Sequence, residues 1–204
     1  MSAQTVDRRG FDVTADLFIG AVVVAGTAVV GSSLRNIVAD GLDARHLAWL
    51  GIAVLTLLVG RLSVRLPLPN CRVSFSDALT FLSVLVFGGD FGTLTAALDG
   101  FASSSRQTGS IHKTAFNAAG MAVSVRLSAW LFALLLPDAA SGPGISPVDL
   151  LLPVTTLALS QYVLNTLLVS TAMALKDHAS FLATWRSASP LAVSSYSTRG
   201  GDSA

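Results

Sequence analysis

The chain has 204 residues, 52% of them hydrophobic and 12% charged, with a formal net charge of +1 and a mean hydropathy of +0.66. Soluble domains carry about 25% charged residues, so the composition predicts a polytopic membrane protein. A charge this small, with no basic run, gives no nucleic-acid surface. All twelve acidic residues are Asp, and the single Cys71 leaves no intrachain disulfide and no Cys-based metal cluster.

A membrane-crossing helix needs about 20 largely apolar residues, and six segments are read as crossings. Residues 1–13, with Arg8 and Arg9, form a short polar start, and no small-residue cleavage site follows, so the first helix is expected to stay uncleaved. That helix, 14–34, carries Ala21, Ala25 and Ala28 at i, i+4 and i+7, a small-residue face able to meet a second subunit. The second, 47–66, stops at Pro67 and Pro69, which fix φ and lack a donor, and its Arg61 and Arg65 can reach headgroups. The third and fourth, 74–87 and 91–105, are short and joined by Gly88, Gly89 and Asp90. They are expected to form a tight hairpin, and their length also fits a re-entrant pair. The fifth, 114–136, ends in the Pro/Gly/Ser-rich loop PDAASGPGISP, and the sixth is 148–175. Residues 14–176 thus form the transmembrane domain. The tail, 177–204, reads as an interfacial segment around Trp185 followed by a disordered end, or as a seventh crossing cut short.

Lys and Arg in the short connections set orientation. Arg8, Arg9, Arg65, Arg72, Arg106, Lys113, Lys176, Arg186 and Arg199 fall on one side, and only Arg35 and Arg45 on the other. The expected fold is therefore an all-α transmembrane helix bundle with both termini cytoplasmic, its partner the lipid bilayer.

A charge at the bilayer centre costs roughly 2.5–3.5 kcal/mol even on insertion scales, so each one needs a partner, a wet cavity or a role. Counting depth along the fourth and fifth helices brings Asp99 and Arg126 level, and an Asp99–Arg126 ion pair is expected, either as a staple or as one wall of a polar ligand site. Asn117, Gly120, Ser124 and Ser128 share one face of the fifth helix, and Gln161 and Asn165 lie one turn apart on the sixth. Asp99, Asn117, Gln161 and Asn165 could line a small polar site, although amides between membrane helices serve packing equally well. Ser74, Ser76 and Asp77 open the third helix and suit capping of its free amides. Ser76, Thr80 and Ser83 continue as a polar stripe, expected to pack on the Gly92, Ala96, Asp99 and Ser103 face of the fourth helix. Asp90 is read as a solvated turn residue.

No P-loop, GxSxG, HExxH or Rossmann glycine pattern is present, and His46, His112 and His178 fall near three separate connections with no shared metal site. No enzymatic activity, catalytic residue, cofactor or metal is expected.

The stretch VSFSDALTFLSVLVFGGDFGTLTAALDGFASS, with the later HKTAFNAAGMAVSVRLSAWLF, resembles the membrane-embedded amino-terminal region of bacterial proteins that make or degrade cyclic di-GMP. The likeness covers residues 61–132 and rests on SxSD at Ser74 to Asp77, FG at Phe87 and Gly88, DG at Asp99 and Gly100, and FN at Phe116 and Asn117. It implies a sensory or anchoring module in the bacterial inner membrane, acting as a dimer and preceding a cytoplasmic cyclase or HD-type phosphodiesterase domain that this chain lacks. A looser likeness, in helix count and in the alanine-spaced first helix, is to the substrate-binding subunits of energy-coupling-factor vitamin transporters. It implies small-solute uptake as the alternative role.

Overall fold

The computed structural model describes residues 3–41, 43–60, 64–65, 72–73, 75–108, 110–136, 146 and 148–188. In chain order these form α1 (Ala3–Ala39), α2 (Ala44–Val59), β1 (Val64–Arg65), β2 (Arg72–Val73), α3 (Phe75–Phe87), α4 (Gly89–Thr108), α5 (Ile111–Leu135), α6 (Leu151–Lys176) and α7 (Phe181–Ala188). Apart from the two-residue antiparallel ribbon, in which Val64 faces Val73 and Arg65 faces Arg72, the fold is all-helical. Among the described residues three stretches are long and apolar enough to cross a membrane, Val13–Ala39, Ile111–Leu135 and Leu151–Lys176, and Ala44–Val59 and Ser76–Phe87 are shorter apolar helices.

The second helix ends earlier than its apolar run. It stops at Val59, and Val64–Arg65 is already extended, because Gly60 weakens the helix and the ribbon with Arg72–Val73 demands strand geometry. The third and fourth helices form an antiparallel hairpin. Its turn passes through Gly88 at φ +96°, a left-handed conformation that a side chain would oppose. In the tail, Phe181–Ala188 is helical and packs on α6, with the Phe181 and Trp185 rings stacked 6.3 Å apart.

α4 and α5 are central, α4 touching α1, α2, α3 and α5, and α5 touching α1, α4 and α6. Along α1 the contact is backbone to backbone: a Cβ on Gly26 would lie 2.4 Å from the Ala119 Cβ and 2.5 Å from its Cα. A core of Val84, Ala96, Met121, Val125, Ala129 and Leu157 joins α3 to α6. A second cluster, Ile37, Phe87 and Phe91 with Trp49 against it, closes the end where the α1–α2 and α3–α4 turns lie, here the turn end. Outward faces carry Val24, Leu50, Leu55, Trp130 and Leu159, all exposed, as a surface that meets lipid would. Ala21, Ala25 and Ala28 lie on the exposed side of α1.

Candidate functional site

Two polar centres sit on α4, one at each end of its contact with the neighbouring helices. At the turn end, Asp90 lies in the first turn of α4 and forms an ion pair with Arg126 of α5. Asn36 of α1 adds long bonds from Nδ2 to the same carboxylate, at 3.4 and 3.5 Å. The pair is partly covered, with the Asp90 and Arg126 side chains 29% and 36% exposed.

The expected Asp99–Arg126 pair is therefore not made, and Asp90 is not a solvated turn residue. The reason is axial register. α5 continues nine residues past Arg126 to Leu135, about 13 Å, and overshoots the α3–α4 turn. Depth counted from the far end of α5 thus assigns Arg126 to the wrong level of α4.

Arg45 of α2 covers the other side of this turn. Its Nη2 donates to the Phe87 carbonyl at 3.0 Å and, at the limit of hydrogen bonding, to that of Val86 at 3.5 Å. These are carbonyls that the last turn of α3 leaves without helical partners. The guanidinium also lies 5.9 Å from the centre of the Phe91 ring, within cation–π range.

α2 itself begins with a capping box. Asp43 accepts from the Arg45 and His46 amides at 2.9 and 3.3 Å, and the His46 ring takes the place usually held by Glu or Gln. His46 Nδ1 lies 3.1 Å from the Asp43 amide and 2.8 Å from its carboxylate. A neutral Nδ1 accepts from the amide, and a protonated one donates to the carboxylate. That ring contact, with the two amides, holds the Asp43 carboxyl below its ordinary value.

The second centre is built around Asp99, which is only 5% exposed. Ser76 of α3 donates from Oγ to Asp99 Oδ2 at 2.9 Å, whereas Oδ1 has no hydrogen-bond partner among the described residues. Ser76 is the second residue of α3, and Gly60, which ends α2, also abuts Asp99. α2 ends and α3 starts beside this carboxylate, while α4 runs nine residues further to Thr108, about 13 Å. α4 thus extends past the ends of both short helices and carries Arg106 two turns on from Asp99.

From Asp99 towards the turn end a polar seam joins α3 to α4. Thr80 is buried with its hydroxyl unpartnered, and the next rung pairs Ser83 and Thr95 hydroxyls 3.2 Å apart. Trp49 Nε1 from α2 donates to the same Thr95 Oγ1 at 2.9 Å. Asp77 is exposed in the first turn of α3, where negative charge suits the helix dipole. Ser74 lies outside the described residues.

The other expected site residues do not converge on Asp99. Asn117 Nδ2 donates to the Gly100 carbonyl at 3.1 Å, which ties α5 to α4 one residue from Asp99. Gln161 is buried on α6, its Nε2 at 3.7 Å from the Met121 sulfur and its Oε1 without a partner among the described residues. Asn165 is half-buried one turn along. Ser124 and Ser128 are fully buried on α5 with unpartnered hydroxyls. Arg45, His46, Gly60 and Arg106 join these centres although the sequence reading gave them no such role. The role of His46 could have been read in advance, since Asp43 and His46 stand at i and i+3 ahead of an apolar run, the spacing of a capping box.

Among the described residues no group of three or more His, Cys or Asp side chains could hold a metal ion. The fold and its two centres define an all-helical chain with apolar helices of membrane-crossing length. No protein-family model, curated protein or solved structure matches it.

Proposed function

We propose that the chain is the membrane-embedded input or anchoring module of a bacterial cyclic di-GMP signalling protein. In this reading six helices cross or enter the inner membrane, and both termini lie in the cytoplasm. The supporting observation is that two of the motifs on which the sequence likeness rests are tied to a third. Ser76 of SxSD donates to Asp99 of DG, Asn117 of FN donates to the carbonyl of Gly100, and Gly88 of FG makes the left-handed turn between α3 and α4. Ser76, Asp99, Gly100 and Asn117 thus join α3, α4 and α5 at one junction, and Gly88 turns the chain at the other end of α3 and α4.

Asp99 then lies towards the cytoplasmic side, the side on which α6 and α7 would lead to an output domain. A shift at Asp99 would pass along α4 and α5 as rigid helices, which is how coupling between separated sites travels when an element has two arrangements.

The test is to fuse the catalytic domain of a diguanylate cyclase to the carboxy-terminal end of the chain and express it in cells without other cyclases. The reading expects cyclic di-GMP levels that differ from those given by the same domain on an unrelated membrane anchor. Equal levels on both anchors contradict the input role and leave anchoring alone. The unpartnered Asp99 oxygen also favours a second reading, in which the chain binds a small polar solute for uptake. Accumulation of a labelled vitamin-class solute that depends on this chain would establish that role instead.

A further inference from the structure

His46 stands at the start of α2 between two groups that ask opposite things of its ring. Nδ1 lies 3.1 Å from the Asp43 amide, a donor, and 2.8 Å from Asp43 Oδ1, an acceptor. The rest of the ring is packed inward. The side chain is 12% exposed, Nε2 is buried with no hydrogen-bond partner among the described residues, and the ring meets Phe91 of α4 edge-on with centroids 5.4 Å apart. Arg45, the preceding residue, places its guanidinium 5.9 Å from the centre of the same Phe91 ring while it donates to the Phe87 carbonyl. Trp49 leans on Phe91 as well, at 5.4 Å, so this one ring joins α2 to the start of α4.

We propose that His46 is a proton-binding site that switches the hold of α2 on the start of α4, tight when the ring is neutral and loosened when it is protonated. A neutral ring accepts the Asp43 amide at Nδ1 and closes the capping box. Taking up a proton turns Nδ1 into a donor, which that amide cannot use, so the bond is exchanged for one to the Asp43 carboxylate. The proton also makes a cation of a largely covered ring whose Nε2 has no acceptor, where a charge is far more costly than a neutral group, and sets it beside the Arg45 cation at a single Phe91 ring. Asp43 is 63% exposed, so its carboxylate draws the charged ring towards solvent and off Phe91. The same carboxylate keeps its bonds to the Arg45 and His46 amides, and α2 stays capped.

Imidazole is the side chain whose charge ordinarily changes between pH 5 and 8. The charged groups around the ring hold still over that range. Asp43 is ionised, its carboxyl held below its ordinary value, and Arg45 keeps its charge. From α4 the nearest charged residue in sequence to Phe91 is Asp90, engaged by Arg126 of α5. The acidic residue of α3, Asp77, lies in its first turn at the opposite end, and Arg35 and Asp40 near the end of α1 are exposed. The side of the membrane on which acid is read rests on the proposed orientation, in which the turn end faces outside; the switch itself does not.

The test is a titration of the purified full chain in detergent from pH 8 to pH 5, followed by NMR of the Asp43 amide, the Phe91 ring and the His46 ring, beside the variant His46→Gln. Gln accepts the same amide as a usual capping-box partner but takes up no proton. In the unaltered chain all three signals should shift in one step with a shared midpoint, and in His46→Gln the Asp43 and Phe91 signals should stay flat. The shared midpoint with the His46 ring assigns the step to the imidazole even without the variant. A Phe91 ring that stays fixed while His46 titrates, a His46 ring that takes up no proton over this range, or a step retained in His46→Gln would overturn the proposal.

Discussion

Asp90 and Arg126 form the ion pair that fixes α4 against α5 at the turn end, with Asn36 bringing α1 to the same carboxylate. Because α4 is tied here to two long helices at once, its axial position is set, and Asp99 is carried to the level where α2 ends and α3 begins.

Removing one member of that pair leaves the other charged and partly covered. Asp90→Leu or Arg126→Leu alone should cost about 1–3 kcal/mol, between the worth of a surface pair and that of a buried one. The double variant should recover at least half of the larger single loss. Thermal melting of the four proteins in one detergent measures this, and a double variant no better than the sum of the singles refutes the pairing.

Gly26 is the point where α1 and α5 touch backbone to backbone. Gly26→Ala places a methyl inside the Ala119 contact, and overpacking of this kind costs about 1–3 kcal/mol or more. Gly20, with nothing within 4 Å of its would-be Cβ, is the control, and Gly20→Ala should be neutral or slightly stabilising through helix propensity. Membrane abundance and melting temperature of the two variants distinguish the positions.

Arg45 caps the last carbonyls of α3 from a neighbouring helix. Arg45→Ala should destabilise the hairpin by about 1 kcal/mol, the net worth of one such bond. Hydrogen exchange should rise around Gly88, whose amide bonds to the Val84 carbonyl, and leave α6 unchanged. Uniform loosening of all helices would show that the arginine acts elsewhere.

The Asp43 carboxyl is held below its ordinary value by the His46 ring and by the amides of α2. A carboxylate with a depressed folded value contributes stability that is present above its unfolded value, about 3.9, and is lost as pH falls through the lower folded value. The start of α2 should therefore keep its cap through mildly acidic pH and fray only below the ordinary carboxylate range. Chemical shifts of the Arg45 and His46 amides against pH report this directly. Asp43→Asn should abolish that low-pH step, and a step retained in the variant would assign it to another group.

Much of this arrangement is legible in the residues. The stripe Ser76, Thr80 and Ser83 is placed by its 3.6-residue period, and all three are buried against α4. The Gly88 turn follows from two glycines between short apolar runs. What could not be read is relative height. Arg126 has two carboxylates on α4 within reach of a plausible register, and only the overshoot of α5 beyond the α3–α4 turn chooses Asp90. The end of α2 was hidden for a related reason, since apolar residues continue past Gly60 and periodicity cannot show where tertiary pairing of Val64–Arg65 takes the chain out of the helix. Arg45 reads as an ordinary loop cation until the carbonyls it covers, some forty residues away, are placed beside it.

In the proposed reading Asp99, held by Ser76 where α2 and α3 meet α4, is the responsive element of the module, while Asp90 and Arg126 only hold the helices. The most direct measurement is cyclic di-GMP output from the cyclase fusion carrying Ser76→Ala, Asp99→Asn or the Asp90→Leu/Arg126→Leu pair, at matched membrane abundance. The Ser76 and Asp99 variants are expected to change output several-fold, and the turn-end double variant to leave it near the unaltered level. Output that ignores Ser76 and Asp99 would contradict it.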